Sequence, residues 1–208
     1  MTPPRSVAGP SRGLYRDVQA KRLNEARRGE LLTILESQVL EHGFSASTMD
    51  DFAAYARCSK TTLYALSSSK EGLLATLLRR FFREATSRIE VRIGPFESER
   101  ERIAEYLSGV GFEMSRMSST CYFDMMQLRV TRDIYELNSR AAADRVHGFI
   151  EDGIGSGEFR ATNARFIGES VSLLIDGIMH GILLERTDLT SGQAYSELGS
   201  LVLNALTK

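Results

Sequence analysis

Proline interrupts this 208-residue chain at only four positions, Pro3, Pro4, Pro10 and Pro95. A proline inside a helix removes a backbone donor and clashes with the preceding turn, at a cost of about 3 kcal/mol or more. Residues 11–94 and 96–208 are therefore two long stretches in which helices can run without that penalty. The apolar residues use this freedom. Leu31, Leu35 and Val39 fall on one helical face, and Leu32 and Ile34 widen the stripe. Strand-like alternation, a fixed-period repeat and low-complexity sequence beyond the N-terminal residues are all missing. The reading is an all-α chain. At 42% hydrophobic and 25% charged residues it has the balance of a globular protein. The most apolar segment, Val171 to Leu184, is broken by Asp176 and His180. It falls short of the run of about 18 apolar residues that a membrane span needs. The N-terminal MTPPRSVAGPS has no apolar core for a signal peptide. The expected location is the cytoplasm, with Cys58 and Cys121 as free thiols.

Residues 1–20, with their Pro, Gly, Ser and Arg, read as a flexible basic arm. A helix is expected from about Lys21 to His42, where Gly43 can take the left-handed conformation of a C-terminal cap. Two short helices follow. Thr48 precedes Met49-Asp50-Asp51 and is placed to cap the first, whose two acids favour the positive end of the helix dipole. Ser59 is placed to cap the second, Lys60 to Leu66, with Leu63 and Leu66 facing inward. Ser68 and Glu71 have capping-box spacing for a longer helix through Leu73, Leu77 and Phe81 to about Arg92. Gly94-Pro95 stops it. Further helices are expected over 99–117, 120–129, 131–153, 163–185 and 192–206.

Two short helices with a tight turn, the second exposing small polar and basic groups, form a helix-turn-helix. Its second helix must enter a major groove about 12 Å wide, which favours short donors and flexible cations. Lys60, Thr61 and Thr62 at the start of that helix suit base edges. Thr48, Ser59, Tyr64 and Lys70 are hydrogen-bonding or charged groups suited to phosphates.

The stretch from Leu31 to Leu78 resembles the DNA-binding domain of the TetR family of bacterial transcription regulators. Gly43-Phe44, Thr48-Met49-Asp50-Asp51-Phe52-Ala53, Ser59-Lys60-Thr61-Thr62-Leu63-Tyr64 and Ser69-Lys70-Glu71 with Leu73-Leu74 carry the resemblance. Gly153 to Gly157 with Glu158-Phe159-Arg160 is similar to the loop before the last helix pair in many members. Two positions depart from the family's pattern. Arg57-Cys58 replaces the usual Gly-Val of the turn, and Ala65-Leu66-Ser67 replaces a Tyr-x-Phe run. The resemblance implies a helix-turn-helix domain over 21–70, a connecting helix over 71–94, and a larger helical ligand-binding and dimerisation domain over 95–208.

Charge is divided along the same line. Residues 1–92 carry 15 Lys+Arg against 10 Asp+Glu, a net +5, whereas residues 93–208 carry 11 against 17, a net −6. The overall −1 is thus a cancellation. A basic arm leading into a DNA-binding domain can track phosphates or enter a minor groove.

In the second half, Phe112, Met114, Met117, Cys121, Tyr122, Phe123, Met125, Met126 and Tyr135 crowd into 24 positions. Methionine is flexible and polarizable and suits a cavity that adapts to apolar ligands. The resemblance implies an effector pocket there, with Phe112, Met117, Cys121, Tyr122, Met125, Met126, Tyr135, Asp176 and Met179 as its expected lining. It also implies a homodimer through the last two helices. Phe166, Val171, Leu174, Ile175, Ile178, Leu184, Leu198, Leu201, Val202 and Leu206 would supply the apolar surface. A two-fold dimer calls for a palindromic DNA operator. Asp176 and His180 share a helix face and are read as a hydrogen-bonded polar pair rather than a metal site. No cofactor or enzymatic motif is recognised. Two readings remain open: a dimeric, ligand-released repressor, or a helical small-molecule-binding protein or enzyme whose helix-turn-helix no longer functions.

Overall fold

The computed structural model describes residues 12–207, with side chains from Glu25 onward. Ten helices succeed one another: α1 (Arg12–His42), α2 (Met49–Tyr55), α3 (Lys60–Leu66), α4 (Lys70–Ile93), α5 (Glu99–Met114), α6 (Ser119–Gln127), α7 (Arg129–Gly155), α8 (Ala164–Met179), α9 (Ile182–Thr187) and α10 (Ser191–Leu206). No strand occurs among the described residues.

Three differences from the sequence expectation have local causes. Helix α1 begins at Arg12, so residues 12–20, read above as part of an arm, belong to the helix. No proline follows Pro10 before Pro95, and Gly13 is the one strongly unfavourable residue in the first turns of the helix. Residues 1–11, the rest of that arm, lie outside the described residues. The cap of α4 is Ser69, whose hydroxyl accepts from the Gly72 amide at 3.1 Å, not Ser68. The helix expected over 163–185 is two, because Gly181 adopts φ +78° after the His180 cap and turns the chain. Apolar periodicity continues across this break, which is why spacing alone reads through it.

The core starts at α1, where Leu31, Leu35, Val39 and Leu40 are buried. Against them pack Phe52 and Ala53 of α2, Leu63 of α3, and Leu73, Leu74, Leu77 and Leu78 of α4. Each of the leucine, valine and phenylalanine side chains contributes roughly 1.5–3 kcal/mol on burial. Helix α4 continues into the second half and packs on α5 and α7, while α8 lies on α7 and α10 on α5. The loop after α7 is tied back to α5. Glu158 accepts from the Ser98 hydroxyl and from the Glu99 and Arg100 amides, at 2.5, 2.9 and 3.1 Å. These are donors that a helix N-terminus leaves without partners of its own.

A second junction joins α6 to the end of α1. Asp124 of α6 is buried, and its carboxylate accepts from the Phe44 amide at 2.6 Å and the Ser45 amide at 2.8 Å. The Ser45 hydroxyl adds a third bond at 2.6 Å. Nearby, the Ser118 amide donates to the Leu40 carbonyl at 2.8 Å. Gly43 makes this approach possible. Its φ is +78°, and a Cβ there would stand 2.6 Å from Asp124 Oδ2. Burial alone would raise the Asp124 pKa, but the Ser45 hydroxyl and the Phe44 and Ser45 amides outweigh it and hold the carboxyl below its usual range.

Replacing Asp124 by Ala strands two backbone donors, at about 1–3 kcal/mol each. Denaturant titration is expected to show Asp124→Ala destabilised by roughly 3 kcal/mol. Because the folded carboxyl titrates below the unfolded one, its contribution is complete above about pH 4 and lost as pH falls through the lower folded value. Asp124→Asn should flatten stability against pH over that acidic window.

Candidate nucleic-acid interface and effector cavity

Helix α3 is short, and its ends are held by side chains. The Ser59 hydroxyl accepts from the Thr62 amide at 3.0 Å and lies 2.8 Å from the Thr62 hydroxyl. Thr48 does the same for α2 in a complete capping box with Asp51. Asp51 is held below its usual pKa range by hydrogen bonds from the Thr48 hydroxyl and amide. The turn between the two helices places Arg57 at φ +48°, with Arg57 and Cys58 amides bonded back to Ala54 and Ala53 carbonyls. A side chain in this left-handed region costs about 1–2 kcal/mol that glycine avoids. At the other end of α3, Ser67 donates to the Ser69 carbonyl at 3.1 Å. A Cβ on Gly72 would come within 2.5 Å of Ser67 Oγ. A small residue facing a glycine thus packs the α3–α4 corner where the family pattern has an aromatic ring.

Leu63 anchors α3 with no exposed surface, which leaves Thr61 and Tyr64 outward, Tyr64 at 49% exposure. Neither side chain makes a hydrogen bond to another described residue. Lys60 is exposed at the helix start with its Nζ 2.5 Å from Asp50 Oδ2. The Asp50 hydrogen bond raises the lysine's pKa. Lys70 is half-buried and donates to the Ser45 carbonyl at 3.0 Å, beside the Asp124 junction. Arg27 and Arg28 of α1, with Glu25, share a groove with Thr62, Ala65 and Leu66 of α3, so two basic residues against one acid flank the recognition helix.

The second half holds a cavity of about 180 Å³ between α4, α5, α7 and α8. Ala85 and Ile89, Leu107 and Val110, Ala142 and Val146, and Val171 and Ile175 make most of its wall. Thr86, Tyr106, Tyr135, Asn138, Ser139 and Ser172 are its uncharged polar members. Burial raises the Tyr106 pKa to about 12, with Glu90 adding to the rise. At the mouth Glu90 of α4 takes two bonds from Arg145 of α7, at 2.9 and 2.8 Å. Glu113 of α5 is buried in the wall and accepts two 2.7 Å bonds from Arg88 and one of 2.9 Å from Arg116. The Arg88 hydrogen bond is the chief reason that its pKa lies below the ordinary value. Arg116 also reaches Glu36 of α1 at 3.8 Å, and Arg80 of α4 approaches Glu36 at 3.5 Å. Glu36 is buried and its pKa is raised, by burial first. A chain of ion pairs therefore runs from the cavity wall to the first helix.

No protein-family model and no curated protein matches the chain by sequence. Solved structures do match. A TetR transcription regulator from Haloarcula marismortui is 18% identical, with a TM-score of 0.75 over 88% of this chain and all of that one (100%). A protein from Saccharomonospora viridis in complex with choline is 19% identical, at TM-score 0.74 over 88% and 98%. The SmeT–triclosan complex is 17% identical, at TM-score 0.68 over 88% and 92%. This is the TetR-regulator fold.

Within that fold, Tyr135 is the one expected pocket residue that lines the cavity. Met117, Cys121, Tyr122, Met125 and Met179 are buried but outside its lining, Met126 and Asp176 are half-buried, and Phe112 is exposed. Burial raises the Cys121 pKa to about 12, which keeps the thiol protonated. Tyr122, Tyr135, Asp176 and His180 gather in a polar group between α6, α7 and α8. Tyr135 donates to Asp176, and Tyr122 lies 3.3 Å from His180 Nδ1. His180 meets the Asp176 backbone carbonyl at 2.9 Å instead of its carboxylate, so the expected side-chain pair is not formed. His147 pairs with Glu151 at 3.1 Å. No group of three metal-ligating side chains occurs among the described residues. Of the apolar residues expected on a dimer face, Val171, Ile175, Ile178, Leu198, Val202 and Leu206 are buried within the chain itself. Leu174 and Leu184 are half-buried, and Phe166 and Leu201 are exposed, together with Leu173 on α8.

Sequence reading missed Asp124, the Glu36–Arg116–Glu113 chain and Tyr106. Two signals for them were available. Glu36 interrupts the apolar run LLTILESQVL, and Ala141-Ala142-Ala143 places three small side chains mid-helix, where space opens.

Arg57→Gly removes the left-handed strain without touching the outward face of α3. It is expected to stabilise the protein by about 1 kcal/mol in thermal or denaturant unfolding. An unchanged or lower midpoint would show that the arginine's own contacts outweigh the strain.

Proposed function

We propose that this chain is a ligand-responsive transcriptional regulator, a repressor released from a palindromic operator when a small molecule occupies the α4–α5–α7–α8 cavity. The observation that carries this reading is the recognition helix itself. It is capped at Ser59, anchored by Leu63, exposes Thr61 and Tyr64 unspent, and is flanked by Arg27 and Arg28. Lys60, Thr61 and Thr62 face base edges in this proposal. Thr48, Ser59, Tyr64 and Lys70 serve phosphates. Lys60 exchanges Asp50 for DNA, a swap between an exposed ion pair of small net worth and a polyanion.

A single α3 reaches one half-site. Two chains related by a two-fold axis reach successive major grooves about 34–36 Å apart. The exposed Phe166, Leu173 and Leu201 on α8 and α10 suit the contact between them. The ligand acts by preferring a domain arrangement in which the two α3 helices are wrongly spaced, so release follows from its differential affinity. The protein then works by binding and not by catalysis. The structures solved with choline and with triclosan support a small-molecule site in this fold.

Random-oligonucleotide selection at stated salt is expected to enrich an inverted repeat. Absence of enrichment at low salt would favour a ligand-binding protein with an inactive helix-turn-helix. Tyr64→Ala should weaken binding to the enriched sequence about tenfold with an unchanged unfolding midpoint, since the side chain is half exposed and makes no hydrogen bond. An unaltered gel shift would remove Tyr64 from the interface.

A further inference from the structure

We infer that the cavity takes a compact, uncharged ligand of about one ring, apolar over most of its surface and bearing a single hydrogen-bonding group that meets Tyr106. The inference rests on the reading of this cavity as the effector site and names the chemistry it accepts.

Size comes first. The volume of about 180 Å³ is close to that of engineered apolar cavities, about 150 Å³, which hold benzene. Long acyl chains and multi-ring molecules are too large for it without rearrangement of the wall.

Charge comes next. The carboxylates that reach the cavity are already neutralised. Glu90 is taken by Arg145, and Glu113 by Arg88 and Arg116. Continuing behind the wall, Glu36, Glu84 and Glu113 stand against Arg80, Arg88 and Arg116, three acids and three bases. A cationic ligand would have to displace an arginine from its carboxylate, and an anion would have to displace a carboxylate from its arginine. At Glu113, which is buried, this would leave a charge without its partner, which proteins tolerate poorly, whereas the half-exposed Glu90–Arg145 pair parts at smaller cost.

Most polar side chains in the lining already have a hydrogen bond, and Thr86, whose side chain has none, is exposed. Tyr135 spends its hydroxyl on Asp176, and Ser139 and Ser172 bond each other at 2.7 Å. Asn138 donates to the Ile134 carbonyl at 2.8 Å. Tyr106 differs. It is buried, it lines the cavity, and its hydroxyl has no hydrogen-bond partner among the described residues. Its raised pKa keeps it a donor across the physiological range. A ligand hydroxyl or carbonyl can give it the partner it lacks.

The test uses the full chain and four probes of one ring size: 4-methylphenol, toluene, 4-methylbenzoate and 4-methylbenzylammonium. Calorimetry and thermal shift are expected to show 4-methylphenol binding at one site per chain, with both ions at least tenfold weaker. Tyr106→Phe keeps the ring and removes the hydroxyl. It should weaken 4-methylphenol about tenfold and leave toluene within twofold. Ala142→Leu, checked for helicity, should weaken both neutral rings. An ion that binds as tightly as the phenol, a phenol affinity unmoved by Tyr106→Phe, or no binding of either neutral ring at its solubility limit would overturn the inference. Oligonucleotide selection on the same preparation separates the two readings. An enriched inverted repeat with no ring binding removes only the ligand class, whereas ring binding with no enrichment removes only the DNA-binding role.

Discussion

The arrangement of the molecule depends on one buried carboxylate. Asp124 gathers the two backbone amides and the hydroxyl at the corner where α1 ends, and so fixes the helix-turn-helix region against α6. Charged acceptors on backbone donors make stronger bonds than neutral ones, and burial makes their loss costly. The corner can come this close only because Gly43 has no Cβ and takes a left-handed conformation. The loop held by this contact leads directly into α2, and Leu63 then seats α3 in the core with Thr61 and Tyr64 outward. Lys70, bonded to the Ser45 carbonyl, braces the same corner from the start of α4.

A second line of contact reaches α1 from the cavity. Arg116 stands between Glu113, which lines the cavity, and Glu36, which belongs to the first helix. The bonds on the cavity side are short. Those on the α1 side are long, and Glu36 Oε2 and Arg80 Nη1 are buried without a hydrogen bond. The weaker end of the chain thus lies where Arg116 of the α5–α6 loop meets Glu36 of α1. Packed interfaces of this kind repack between discrete arrangements instead of deforming gradually. In the proposed function, a ligand beside Glu113 and DNA beneath α3 bias the same element from opposite ends. Linkage makes that effect reciprocal.

The helices were legible in the sequence because their signals are local. Thr48 and Ser59 cap where their spacing says, and Gly94 closes α4. The break at Gly181 and the extension of α1 back to Arg12 were not, since apolar periodicity neither sees a left-handed residue nor requires a helix to start at its first apolar side chain. Seven candidate DNA-binding residues could be picked from one short motif, yet only packing separates the unspent Thr61 and Tyr64 from Lys60, held by Asp50, and Lys70, held at the corner. The pocket was harder still. Methionines and aromatics between Phe112 and Tyr135 mark an apolar interior, but most of them fill space. The void opens beside Ala85, Ala142 and Val146, where side chains are small.

The sequence by itself determined an all-helical chain, a helix-turn-helix with its caps, and a basic first half set against an acidic second, because propensity, capping and charge act within a few residues of one another. Tertiary structure alone decided where the cavity lies, that its charges are internally balanced, and that Asp124 and Arg116 tie the second half to α1. Those partners are 80 residues apart in both cases: Asp124 of α6 with Phe44 in the α1–α2 loop, and Arg116 in the α5–α6 loop with Glu36 of α1. Which carboxylate meets which donor across such distances is fixed by the packing of whole helices, and no local pattern encodes it.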